Sequence, residues 1–196
     1  MIKTYFSRVA AVWDETAAEN DQVKLRLMAE RLNIRPGDSV LDVGTGTGIF
    51  IPFLLSKVGN HGQILALDIA EEMLRRARAK GFNGIVSYLN ADVVNIPLPD
   101  KTFGSIVCYS SFPHFHDKAK ALTEIYRVTR SGGYLFICHT SSRDAVNEIH
   151  GSIPEVENDL IPDADEMRIM LAKAGFIDIR IEDYHESYLC CARKPE

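Results

Sequence analysis

A chain of 196 residues, 46% of them hydrophobic and with a formal net charge of -5, has the length for one globular domain with a full core. The acidic balance excludes a dominant basic footprint, and no Lys/Arg run has the density of a nucleic-acid or anionic-membrane binder, which favours a small-molecule ligand over RNA or DNA. The longest apolar stretch, residues 49–55, is broken by Pro52 and falls well short of the ~20 residues of a membrane span. MIKTYFSRVAAVWDE at the start lacks a continuous apolar h-region and a cleavage pattern, so a cytoplasmic location is expected. Cys108, Cys138, Cys190 and Cys191 form no C-x-x-C pair and sit inside apolar runs, the pattern of reduced core cysteines.

In chain order, residues 1–32 read as mostly helical, with Tyr5, Phe6, Val9, Val12 and Trp13 on one side, a break over residues 16–21, and Val23, Leu27 and Leu32 beyond it. The turn Arg35-Pro36-Gly37-Asp38 leads into residues 40–50, VLDVGTGTGIF. An apolar run (Val40, Leu41, Val43) around Asp42, then Gly44, Gly46 and Gly48, then apolar residues at helical spacing, reads as strand, tight turn and helix. Three glycines in five residues suggest a loop that lets a small molecule approach the backbone at a helix N-terminus. The dinucleotide fingerprint would place its third glycine at position 49, where Ile49 stands.

A second strand over residues 63–69 reaches its acid, Asp68, 20 residues after Gly48, the spacing at which a doubly wound fold sets a carboxylate on a ribose hydroxyl pair. The next helix carries Glu71 and Glu72 early, Arg75, Arg76, Arg78 and Lys80 late, and Gly81 as its stop; Met73, Leu74 and Ala77 form its buried stripe. Residues 85–91 give a third strand before Asp92, residues 105–109 a fourth. Asp117 caps a helix with Ala121, Leu122, Ile125 and Val128 inward, and Ser131-Gly132-Gly133 turns into a fifth strand over residues 134–139. A loop and a short helix over residues 144–150 follow, then a helix opened by Asp163 and Glu166 and stopped by Gly175, and a closing pair of strands over residues 177–181 and 188–192. Strands alternating with helices at this spacing argue for a parallel, doubly wound sheet.

The glycine loop, Asp68 after strand two, Asp92 after strand three, the apolar fourth strand and S-G-G before strand five stand in an order that resembles the class I S-adenosylmethionine-dependent methyltransferases. The closest likeness is to their small-molecule, ubiquinone/menaquinone-biosynthesis-like group (methyltransferase type 11). Two positions depart from that pattern: Gly104 replaces the second acid of D-x-x-F-D, and Ser131 stands for a proline. The resemblance implies a Rossmann-like α/β domain with a seven-stranded, mostly parallel sheet whose last strand is antiparallel. Residues 1–35 would form a helical lid on a core of residues 36–196. It implies S-adenosylmethionine as methyl donor, with Asp42, Gly44, Gly46 and Gly48 at its methionine end, Asp68 on the ribose hydroxyls and Ile69 along the adenine. Asp92 and Val93 would meet the adenine edge, Tyr109 and Ser110 would close the donor site, and Met73 belongs to the same binding set.

Methyl transfer in that group is an in-line displacement onto a small-molecule acceptor, for which a base is optional. Polar candidates at the carboxyl edge of strands four and five are Tyr109, Ser110, His114, His116 and His139. His139, His150 and His114 are taken as the catalytic candidates. On a helix over residues 144–150, Arg143, Asn147 and His150 share one side beside an apolar Val146 and Ile149. That polar row either faces outward or, with His139, meets an anionic, thiol or metal-bearing acceptor. The histidines and cysteines match no compact zinc spacing, so no metal is expected. Two rival readings are a donor-binding protein without turnover and an NAD(P)-dependent oxidoreductase; the sequence leaves the oligomeric state open.

Overall fold

The computed structural model describes residues 2–16, 21–82 and 84–196; of the break expected over residues 16–21, positions 17–20 lie outside the described residues. Seven strands form one sheet: β1 (Ser39–Val43), β2 (Gln63–Asp68), β3 (Val86–Asn90), β4 (Phe103–Tyr109), β5 (Thr129–His139), β6 (Ile177–Tyr184) and β7 (Ser187–Arg193). Their spatial order is β3-β2-β1-β4-β5-β7-β6, with β7 alone running antiparallel to its neighbours β5 and β6. The helices are α1 (Ile2–Val9), α2 (Trp13–Thr16), α3 (Gln22–Arg31), α4 (Ile51–Val58), α5 (Glu71–Ala79), α6 (Lys118–Val128), α7 (Arg143–Gly151) and α8 (Ala164–Ala174).

The central strands are apolar on both faces because helices cover both. Ile106 and Cys108 of β4 and Leu135 and Ile137 of β5 pack with Leu122, Ile125, Met167 and Leu171 of α6 and α8. Their strand neighbours Val107, Tyr109, Phe136 and Cys138 pack instead with Leu25, Met28, Leu54 and Val58 of α3 and α4. A period of two therefore divides one continuous apolar run between two cores, as a buried parallel strand requires. Asp21, Asp117, Ser142 and Asp163 cap their helices by accepting backbone amides of the first turn, which is why the helix starts follow the sequence closely.

Strand order reverses at β1, which lies between β2 and β4, and the carboxyl ends of β1 and β4 diverge there into a crevice. The fifth strand differs from its expected start. It begins at Thr129, paired with Phe103, and residues 130–133 bulge opposite Gly104 before Tyr134 pairs with Ser105. The Ser131-Gly132-Gly133 turn is thus a bulge inside a strand rather than its entrance. Among the described residues, no helix is long and apolar enough to cross a membrane.

The irregular link between β3 and β4 is held beneath α6 by Arg127. Its guanidinium donates to the carbonyl oxygens of Ile96 and Leu98 (both 2.7 Å) and to Asp100 Oδ1 (2.9 Å), while Glu124 takes its Nε and accepts the Ile96 amide. Arg127→Met keeps the length of the stem but strips donors from two part-buried carbonyls. It should cost about 2 kcal/mol in urea denaturation, with Asp100→Ala, at an exposed partner, costing well under half of that.

Candidate functional site

At the carboxyl ends of β1, β2, β4 and β5 lies a cavity of about 400 Å³, roofed by α1, α2 and α7. Its floor begins with the glycine loop, and the three glycines do different work there. Gly44 (φ +70°) lies against the end of β4: a Cβ would stand 2.4 Å from Ser111 Cβ, whose hydroxyl in turn donates to the Val43 carbonyl (2.6 Å). Gly46 (φ +57°) opens toward the cavity, where a Cβ would meet only Trp13 Nε1, at 3.9 Å. The bare face of Gly48 meets Ile51, Phe82 and Ala77, so it permits close packing behind the loop, and Gly48 does not line the cavity.

Asp42 also lies behind the loop, buried, accepting the Thr45 hydroxyl at 2.5 Å. Asp68 does line the cavity. Its Oδ2 accepts the Gly46 amide and its Oδ1 the Ala70 amide, each at 2.8 Å, while Asn90 Nδ2 ties the carbonyls of Asp68 and Ile69. Burial raises the Asp42 carboxyl to about 7 and the Asp68 carboxyl to about 6; the Thr45 hydroxyl opposes the first shift and the backbone amides the second. Ile69, Met73, Asp92 and Val93 continue the wall. Asp92 Oδ1 accepts the Val94 amide (3.1 Å), and its Oδ2 lies 3.8 Å from Nδ1 of the exposed His116.

Across the crevice, Tyr109 stacks on Phe50 with ring centres 4.6 Å apart and shares a 3.0 Å hydrogen bond with Thr140. Ser110, just past β4, occupies the left-handed region at φ +49° with its hydroxyl 3.5 Å from His139 Nδ1, a strained conformation held beside the cavity. His114, His139 and His150, far apart in the chain, meet at this end, the rings of His114 and His150 lying 4.7 Å apart. His114 Nδ1 donates to Asp159 Oδ2 at 2.8 Å, and burial holds its imidazole below the ordinary histidine range despite that carboxylate. His150 Nδ1 donates to the Asp159 carbonyl oxygen.

The polar row on α7 splits. Only His150 of the three lines the cavity. Asn147 uses both ends of its amide on Ile161, donating to the carbonyl (3.1 Å) and accepting the N–H (2.8 Å), because the chain after α7 folds back along the helix. Arg143 turns away to Asp144 and Asp183. Asp159 was not legible from the sequence, since it stands in an irregular segment with no periodicity to place it. Cys108, Cys138 and Cys190 are buried in the sheet. Among the described residues, no group of three His, Cys, Asp or Glu side chains is arranged to hold a metal ion.

Two outcomes follow from this geometry. Gly44→Ala should cost about 3 kcal/mol or more in thermal or urea unfolding, from a backbone penalty plus an interior clash, whereas Gly46→Ala should cost only about 1 to 2 kcal/mol because its methyl enters open space. The second concerns pH. Carboxyls raised from about 4 in the unfolded chain to about 7 and 6 bind more protons folded than unfolded, so their contribution falls as pH rises from 4 to 7, by at most about 1.4 kcal/mol per pH unit each. His114, shifted downward, slopes the other way near its unfolded value. The stability of wild type minus that of Asp42→Asn, measured by denaturation at each pH, cancels that slope and should fall steadily as pH rises across this window; a flat difference would contradict the burial argument.

Comparison with known proteins agrees with this geometry. A family model described as a methyltransferase domain matches residues 41–137. The chain is 34% identical over 149 residues to the ubiquinone/menaquinone biosynthesis C-methyltransferase UbiE of Teredinibacter turnerae, covering 68% of this chain and 60% of that protein. It is 30% identical over 188 residues to the UbiE of Proteus mirabilis, covering 87% of this chain and 74% of the relative. The chain thus spans about three fifths to three quarters of these two relatives. The crystal structure of a SAM-dependent methyltransferase from Aquifex aeolicus superposes with a TM-score of 0.76 at 27% identity, covering 95% and 97% of the two chains. The chain belongs to the class I S-adenosylmethionine-dependent methyltransferases, of the UbiE-like type.

Proposed function

We propose that this chain transfers a methyl group from S-adenosylmethionine to a small molecule held in the same cavity. The observation that carries the reading is the cavity's two-ended character: a glycine loop with the buried Asp68 and the half-buried Asp92 at one end, an apolar compartment with three imidazoles at the other, under one roof. The donor end fits the donor's shape, since the open face of Gly46 leaves a cradle that a Cβ would fill and Asp68 presents a buried carboxylate beside it. Asp68 would accept the ribose hydroxyls, Asp92 and Val93 would meet the adenine edge, and Ile69 and Met73 would supply apolar walls. Gly44, Gly46, Tyr109 and Ser110 would hold the methionine side, with Asp42 and Gly48 supporting the loop from behind. S-adenosylmethionine supplies there a methyl group on a sulfonium, a reagent that needs alignment and a water-poor pocket more than it needs a strong base.

Water exclusion falls to the roof. Ile2, Tyr5, Phe6 and Val9 lie at i, i+3, i+4 and i+7 along α1 and line the cavity together with Val12 and Trp13. Residues 1–35 would act as a lid whose tethers are polar and therefore reversible: Asp14 pairs with Lys80 (2.8 Å) and accepts the Thr47 hydroxyl, and Arg8 pairs with Glu155. A roof drawn this closely over the cavity favours a compact acceptor over a polymer. C-methylation, named for the UbiE relatives, is one candidate outcome for this acceptor site.

Two measurements test the reading. S-adenosylhomocysteine should raise the melting temperature and increase hydrogen-exchange protection in α1 and α2, and NAD should do neither; Asp68→Ala should weaken the binding by about 1 to 3 kcal/mol. With labelled donor and a size-fractionated cell extract, label should enter the low-molecular-weight fraction. Label confined to protein or nucleic acid would overturn the small-molecule acceptor, and stabilisation by NAD alone would overturn the donor.

A further inference from the structure

At the acceptor end, two imidazoles are oriented by a single residue. Asp159 accepts His114 Nδ1 on its carboxylate at 2.8 Å and His150 Nδ1 on its backbone carbonyl oxygen. A carbonyl oxygen can only accept, and an ionised carboxylate likewise, so both rings carry a hydrogen on Nδ1. In the neutral imidazole the other nitrogen, Nε2, then offers a lone pair. Both rings line the cavity, 4.7 Å apart and tilted by 40°, and among the described residues the hydrogen bonds of both run through Nδ1. Asp159 reaches this position because Asn147 clamps Ile161 two residues later, pinning the folded-back segment to α7.

The surroundings narrow the ligand further. Phe6 meets the His114 ring edge-on at 4.9 Å, and Phe115, Val146, Ile149, Ile153 and Val156 complete an apolar compartment. Among the described residues no Lys or Arg lines the cavity, so an anionic acceptor would enter without a countercharge beside Asp68 and Asp92. Two imidazoles without a third ligand make a poor metal site. Two Nε2 lone pairs in such a compartment ask the ligand for a hydrogen-bond donor.

Resting on the methyltransferase reading, we infer that Asp159 is a positioning residue that sets the tautomers of His114 and His150, so that their paired Nε2 atoms select a compact, apolar acceptor bearing an O–H or S–H group. A site built to bond such a hydrogen discriminates against the same molecule lacking it, because the polar atoms are then desolvated without a partner.

The test uses the full chain labelled with ¹⁵N-histidine. Long-range ¹H–¹⁵N correlation should show His114 and His150 as Nδ1–H tautomers, with or without S-adenosylhomocysteine. Asp159→Ala should release His114 into a tautomer mixture while leaving His150, whose partner is backbone, unchanged; Asp159→Asn, which keeps an accepting oxygen, should restore His114. Calorimetry on the S-adenosylhomocysteine complex then compares phenol with anisole and thiophenol with thioanisole. The hydrogen-bearing member of each pair should bind about tenfold more tightly, a ratio that collapses toward one in His114→Ala and His150→Ala, with S-adenosylhomocysteine affinity unchanged within about twofold. Nε2–H tautomers in the wild type, or equal binding within both pairs, would overturn the inference, as would stoichiometric capture of Zn²⁺ by the two rings. Failure of S-adenosylhomocysteine to bind would instead count against the methyltransferase reading, since the tautomers are read equally in the free protein.

Discussion

A buried carboxylate joins two segments of the cavity floor. Asp68, at the end of β2, accepts the amide of Gly46 from the loop after β1 and the amide of Ala70 from its own turn into α5. Two backbone segments that would otherwise leave their N–H groups unpaired at the edge of a cavity are held in fixed relation by one side chain. The conformation of the glycine loop depends on this bond, and so does the direction in which Gly46 opens. Burial of the acid has an electrostatic cost, visible in its raised pKa, which the two amides partly offset.

The histidine end of the cavity uses the same device in reverse. There a side chain, Asn147, fixes a backbone segment, and that segment returns a carboxylate and a carbonyl to two histidines. The His114 and His150 rings are thus each oriented by a partner outside the cavity, as a positioned group must be if its lone pair is to be presented without reorganisation. The two ends share a wall at the end of β4, where Ser110 adopts a left-handed conformation and Tyr109 is wedged between Phe50 and Thr140. The strained Ser110 thus sits at the junction between the glycine-loop floor and the imidazole cluster.

The roof completes the enclosure with weaker bonds than the floor. Its apolar face is large, but its ties to the body are exposed or half-exposed ion pairs, each of modest worth. A cover of that kind is held more by burial of aromatic surface than by its ion pairs.

The sequence by itself determined the order of the elements along the chain, the caps Asp117 and Asp163, and the glycine loop that follows the first strand. Strand and helix periodicities are local, Asp117 and Asp163 act within three residues of themselves, and the loop from Gly44 to Gly48 announces its backbone geometry through composition alone. Even there the division of labour was hidden: Gly44, Gly46 and Gly48 look alike in the chain, and only packing against Ser111, open space and Phe82 tells them apart. Periodicity on α7 placed Asn147 and His150 on one side correctly, yet it could not say that the returning chain would take both ends of the Asn147 amide while bonding His150 through Nδ1 and leaving its ring on the cavity. The partnership of His114, His150 and Asp159 spans 45 residues of sequence. Tertiary structure alone decided it, because hydrogen bonds between an irregular segment, a helix and a strand-end loop leave no repeat in the chain from which they could be read.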